Sequence, residues 1–326
     1  MSVKHVTVGD EDEGVRLDRW FRGKFPHVTQ GRLEKLLRRG EIRVDGGRVR
    51  ANLRVAAGMV VRVPPLPDAE VRETSTPPPV SAADAADLQA RVLHRDDFLI
   101  VIDKPAGLAV QGGSGTTRHL DGLLDALRFD AAERPRLVHR LDRDTSGVLI
   151  LARTRAAAAA VAAAFRDRAA RKLYWALVRG VPNPETGRID SALEKVAAGG
   201  GREQIASGED GKSALTTYRT IARGAGGLTW LALTPLTGRT HQLRVHCAEA
   251  GFPILGDRRY GDRAAISQEP HTLGRGLHLH AHRLEIPHPS GGVLSVIAPL
   301  SSHMEQSWRF LGFDAETAQN DPDFDA

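Results

Sequence analysis

Along the N-terminal part of the chain, apolar positions fall at helical spacing twice in succession. Leu17, Trp20 and Phe21 form one set and Leu33, Leu36 and Leu37 the next, which predicts two short amphipathic helices. Gly40 stops the second helix. Ile42-Arg43-Val44 and residues 60–63 then alternate as short strands around an Asp45-Gly46-Gly47 turn. Further on, residues 98–102, 148–152 and 228–234 are apolar runs of strand length. In Lys172-Leu173-Tyr174-Trp175-Ala176-Leu177, a strand would put Lys172, Tyr174 and Ala176 on one face and Leu173, Trp175 and Leu177 on the other. The alanine-rich run 156–164 predicts a helix, since alanine has the highest helix propensity. A further helix is expected after Gly238, ending at Gly251.

Proline divides this pattern. Six of the sixteen residues from position 64 to 79 are proline, too many for a helix or a central strand. The expected organisation is a small unit over residues 1–64, a linker over 65–87, a large unit over 88–313 and an acidic tail over 314–326. Strands and helices alternate in both units, so an α+β fold is expected. No run of eighteen apolar residues occurs, and the first residues lack the apolar stretch of a secretory signal. The single cysteine, Cys247, cannot form an internal disulfide or a multi-cysteine zinc site. A cytoplasmic, monomeric protein without a membrane anchor is expected.

Charge changes the picture. The net charge is +5, yet between positions 16 and 62 thirteen Lys and Arg face only four acids. That surplus is the footprint expected of a nucleic-acid-binding unit. On the second helix Arg32, Lys35, Arg38 and Arg39 make a basic stripe beside the leucines, which a polyanion would neutralise. The segments Arg16-Leu17-Asp18-Arg19, Arg32-Leu33-Glu34-Lys35-Leu36-Leu37 and Ile42-Arg43-Val44-Asp45-Gly46 resemble the S4 RNA-binding domain. The resemblance covers roughly residues 15 to 64 and makes Arg19, Arg32, Lys35, Arg38, Arg39 and Arg43 candidate RNA contacts.

The large unit carries four dense motifs. They are Asp103-Lys104-Pro105-Ala106-Gly107, His139-Arg140-Leu141-Asp142-Arg143-Asp144-Thr145-Ser146-Gly147, the Lys172 to Gly180 stretch, and Gly238-Arg239-Thr240-His241-Gln242-Leu243-Arg244-Val245-His246. The Pro and Gly of the first are expected to end a strand in a turn that keeps Lys104 near the surface. Together, and with Pro253-Ile254-Leu255-Gly256-Asp257, Tyr260-Gly261 and Leu279-His280-Ala281, these segments resemble the RluA-type pseudouridine synthases over most of residues 90 to 300. Val110-Gln111-Gly112-Gly113-Ser114-Gly115 and the S4-like unit look most like the RluC branch, which modifies large-subunit ribosomal RNA. Gln111 departs from the His commonly found there, and the Gly199-Gly200-Gly201 loop has no clear counterpart.

The resemblance implies a catalytic domain built on a mixed, largely antiparallel sheet. It implies Asp142 as the catalytic carboxylate, Arg244 as its cationic partner, and Tyr174 as the group that stacks on uracil and relays a proton. Arg140 would fill the space left by the flipped base. The chemistry fits these residue types, because uridine isomerisation consumes neither reductant nor phosphate and so needs no cofactor or metal. Consistently, the chain has no phosphate-binding or dinucleotide glycine fingerprint. A transfer RNA is the alternative substrate, and a non-catalytic ribosome-assembly factor the alternative from another class. Two further chemistries were weighed against this reading. His278, His280 and His282 would share a strand face as a metal site might, and Ser146 with His139 or His241 could make a hydrolase pair. Missing carboxylate and cysteine ligands count against the first, and the missing nucleophile elbow against the second.

Overall fold

A computed structural model describes residues 3–66, 80–112, 116, 118–197, 203–261 and 272–316. The chain forms two compact units, Met1–Pro79 and Val80–Ala326. Most of the proline-rich stretch, the Gly199-Gly200-Gly201 loop and residues 317–326 of the acidic tail lie outside the described residues.

The small unit contains β1 (Lys4–Thr7), α1 (Leu17–Lys24), α2 (Gln30–Arg39), β2 (Arg43–Val44) and β3 (Val60–Val63). The apolar residues of both helices are buried against one another and against Val61 and Val63 of the antiparallel sheet β1-β3-β2. Thr29 caps α2 by accepting from the Arg32 amide, and Gly40 ends the helix in the left-handed region at φ 70°. Strand β1 has no counterpart in the sequence reading, because only Val6 of its four residues is even half-buried and no alternation marks it.

The large unit runs α3 (Ala82–Ala90), β4 (Val92–Arg95), β5 (Leu99–Lys104), α4 (Leu120–Leu123), β6 (Arg136–Leu137), β7 (Ser146–Ala152), α5 (Arg155–Arg166) and β8 (Arg171–Arg179). It continues with β9 (Thr186–Ala197), β10 (Glu203–Ser207), β11 (Lys212–Gly224), β12 (Leu228–Pro235), α6 (Gln242–Glu249), β13 (Leu279–Pro287), β14 (Val293–Ile297) and α7 (Ser302–Leu311). The expected linker does not extend to residue 87. Helix α3 starts inside it, capped by Ser81 and anchored by the buried Leu88. Beyond Pro79 the prolines stop and an alanine-rich segment behind a serine favours a helix.

The sheet has the order β10-β9-β11-β12-β8-β13-β7-β5-β4, with β14 on β13 and β6 on β7. Among the described strand pairs of this sheet only β13–β7 is parallel, so the sheet is mixed and largely antiparallel, as expected. Helices cover both faces. On one, α5 packs Ala157 and Val161 against Val148 and Ile150, while Trp308 of α7 meets Trp230. On the other, Leu243 and Cys247 of α6 pack on Ala176 and Val178, and Leu88 of α3 with Leu120 of α4 packs on Ile100 and Ile102. Tyr174 touches both sub-cores of this second face, so it lies on the seam between the sheet's halves.

Candidate active site

The loop between β6 and β7 carries Asp142. Leu141 anchors it in the core, and Thr145 donates its amide to the Asp142 carbonyl in a tight turn. The loop is also clamped from the first motif. Lys104 is fully buried, not near the surface as its turn suggested, and its ammonium donates to the carbonyls of Pro105, Leu108 and Arg143 at 2.8–3.0 Å. Three converging carbonyls satisfy a charge that the turn alone would have left in water. Burial still lowers the Lys104 pKa to about 8, against the pull of Asp144, Asp142 and Asp103. Gly107 and Arg143 exchange two further hydrogen bonds across the same junction.

Arg244 projects from the first turn of α6. It lies 3.9 Å from Asp142, but its main partner is Asp257, which accepts two hydrogen bonds at 2.7 Å each. Their side chains are only 8% and 1% exposed, so this is a buried bidentate ion pair. Burial pushes the Asp257 carboxyl up, but Arg244 and the amides of Arg259 and Tyr260 outweigh it and hold the pKa below the usual range. Arg244 is thus fixed by Asp257 and leans its remaining charge toward Asp142. The sequence pattern alone assigns Asp257 no role. Its signal was its type alone, a carboxylate thirteen residues beyond a buried arginine.

The resemblance likewise assigns His241 no part in uridine isomerisation. It precedes α6 with φ 54°, which turns its ring so that Nε2 lies 3.9 Å from Asp142 while Nδ1 meets the Tyr260 hydroxyl at 2.7 Å. That phenol oxygen accepts from the Ile205 amide, so its proton is free to donate to Nδ1. The tautomer assigned on this basis carries its proton on Nε2, facing Asp142. Burial lowers the His241 pKa against the pull of Asp142, which favours the neutral ring. Gln242 ties the approach to α6 down, bonding Thr237, the Arg239 amide and the Leu215 carbonyl.

Asp142 opens onto a cleft of about 580 Å³ walled by Tyr174, Lys172, His139, Arg140, Arg168 and the 237–241 loop. Asp142 is the one carboxylate among the described residues lining it, facing Arg140, Arg166, Arg168, Lys172 and Arg239. Burial, and then the charge of Asp142, push the Tyr174 phenol well above its ordinary pKa, so it remains protonated. Arg140 is exposed at the rim. The structure therefore gathers Asp142, Tyr174, Arg140 and the flank of Arg244 in one place.

In the small unit Arg19, Arg32, Lys35, Arg38 and Arg39 are all exposed. Arg39 lies 3.6 Å from Glu41, just beyond the helix, so its charge is partly engaged. Arg43 is held on the carbonyls of Gly40 and Gly46, which makes it a turn clamp as much as a surface cation. The three alternating histidines are engaged within the core. His278 bonds Ser307, His280 bonds Ser146, and His282 stacks on Trp175 at 3.4 Å between centroids. His139 accepts from the Ile150 amide and stacks on Phe165, so Ser146 is paired with neither histidine proposed for a hydrolase.

A cleft with one carboxylate among its described lining residues, a partly buried phenol and a wall of cations suits nucleophilic or acid–base chemistry on a polyanion. Comparison with known proteins narrows this. Residues 98–249 match the family model described as RNA pseudouridylate synthase. The chain is 36% identical over 94% of its length to the Ribosomal large subunit pseudouridine synthase C of Vibrio cholerae, covering 96% of that protein. It is equally identical, over 94% of its length and 95% of the relative, to the protein of the same name from Escherichia coli K12. Among solved structures it is similar to human RNA Pseudouridylate Synthase Domain Containing 4, at 28% identity and a TM-score of 0.58 over 71% of this chain and 96% of that one. The chain belongs to the RluA-type family of RNA pseudouridine synthases.

Proposed function

We propose that this enzyme converts specific uridines of large-subunit (23S) ribosomal RNA to pseudouridine, acting as a cytoplasmic monomer. The observation that carries the substrate is the 36% identity, over 94% of the chain, to relatives named for the large ribosomal subunit. The isomerisation breaks the N1–C1′ bond, turns the base, joins C5 to C1′ and releases the C5 proton. Asp142 supplies the ionised carboxylate beside sugar or base. Arg244, oriented by Asp257, sets beside it a cation that stays charged even when buried. His241 offers its Nε2 proton to the same carboxylate. Tyr174 presents an aromatic face to the uracil and takes part in moving the C5 proton.

The target base must leave its stack, at a cost of roughly a few kcal/mol. Arg140, exposed at the rim, is suited to fill the gap with its planar guanidinium. The small unit acts as an S4-like RNA-binding domain, with Arg19, Arg32, Lys35, Arg38 and Arg39 on the phosphates and Arg43 as a weaker contact. Pseudouridine mapping of total RNA from cells with and without the protein tests the proposal. Loss confined to large-subunit uridines is the expected result. Loss only in transfer RNA would redirect the substrate, and no loss anywhere would leave a non-catalytic RNA-binding role.

A further inference from the structure

Lys172 is unusual among the cleft's cations. Arg166 pairs with Asp167, Arg239 donates to the Ser213 carbonyl, and Arg140 stands in water. Lys172 is partly buried in the wall, and its ammonium makes no hydrogen bond or ion pair with the described residues. The groups around it offer no compensation. Its neighbour His139 is half-buried and neutral, Arg166 and Arg168 of the same cleft are cationic, and the one carboxylate among the described lining residues lies toward His241 and Arg244. Burial accordingly lowers the Lys172 pKa, with nothing to raise it. A cation left this way is costly unless a ligand brings the missing negative charge.

We infer that Lys172 binds the phosphodiester of the flipped target nucleotide. This rests on the pseudouridine synthase reading above. Lys172 and Tyr174 are two residues apart on one face of β8, about 7 Å along the strand. A uracil lying on the Tyr174 ring carries its own sugar and phosphate with it, and Lys172 is the next side chain on that face. RNA supplies one phosphate per nucleotide, and an ammonium is a compact point charge that binds phosphate without demanding a fixed plane. The subsite thus holds the nucleotide by its backbone and leaves the base free to detach and turn.

The test uses a large-subunit ribosomal RNA fragment that the wild-type protein modifies, with Lys172→Gln, Lys172→Met and Lys172→Arg checked for folding by thermal unfolding. Lys172→Gln should weaken binding roughly tenfold, the worth of one charge-assisted hydrogen bond. It should also lower the log–log salt slope by about 0.7 to 0.9. The single-turnover rate at saturating RNA should change little, and Lys172→Arg should restore the slope. A methylphosphonate at the target nucleotide should weaken binding by the wild type but not by Lys172→Gln. An unchanged Kd and slope in folded Gln and Met variants would overturn the inference. So would a collapse of the saturated rate at unchanged Kd, which would place Lys172 in the chemistry. Failure of the wild type to form pseudouridine would instead overturn the reading on which the inference rests.

Discussion

Asp142 and Asp257 lie on either side of Arg244 and should respond oppositely to mutation. Asp257 is only 1% exposed and forms both hydrogen bonds of the buried pair, so Asp257→Ala leaves an uncompensated guanidinium inside the protein. A loss of about 3–5 kcal/mol of stability is expected, read by denaturant unfolding. Asp142, whose side chain is 18% exposed and 3.9 Å from both Arg244 and the His241 ring, should lose activity on replacement with little change in unfolding. Equal destabilisation by the two variants would contradict this division of labour. Tyr174→Phe keeps the stacking face and removes the hydroxyl. If the phenol helps move the C5 proton, the single-turnover rate should fall by roughly 10²-fold or more while RNA affinity holds. Tyr260→Phe removes the hydroxyl that meets His241 Nδ1 and should lower the single-turnover rate less than Tyr174→Phe does.

At the scale of elements, the loop that carries Asp142 depends on two features of β5 and β7. Lys104 has its pKa lowered to about 8 in the fold from an ordinary 10.5. Below pH about 8 the cost of burying its charge is fully present. As the pH rises from there toward 10.5, the unfolded chain still holds the proton that the folded one has shed, so stability increases with pH. Lys104→Met should abolish that rise relative to wild type in unfolding measured from pH 7 to 10, and a parallel curve would refute it. Gly147 has φ 106°, and a Cβ there would sit 2.2 Å from the Ala281 carbonyl. Gly147→Ala should therefore force β7 and β13 apart where they run parallel, lowering stability and activity together. The strands and helices were legible because period and propensity mark them locally. The motif residues Asp142, Tyr174 and Arg244 were legible through their neighbours in sequence. Lys104, Asp257 and Tyr260 were not, because their roles arise from contacts across 13 to 39 residues that leave no periodic trace. The start of α3 was hidden by the prolines just before it.

For the whole molecule, the basic surplus of the small unit and the cation-lined cleft of the large one both call for RNA. Each unit has its own hydrophobic core. A protein shortened to residues 80–326 should therefore fold, bind RNA more weakly and show a shallower salt dependence. Among the expected contacts Arg19, Arg32, Lys35 and Arg38 are exposed and unpaired with the described acids, whereas Arg39 and Arg43 are partly occupied. Four phosphate contacts would reduce the log–log slope by about three. An unchanged slope would mean that the basic stripe does not touch RNA.

The central claim is that Asp142 is the carboxylate with which this chain isomerises uridine in large-subunit ribosomal RNA. The direct measurement is pseudouridine formation on an unmodified 23S transcript by the wild-type protein and by Asp142→Asn, which keeps the side chain's shape and removes its charge. Site-specific pseudouridine with the wild type and none with a folded, RNA-binding Asp142→Asn is the predicted result. Turnover by the variant at a rate comparable to wild type would contradict the account.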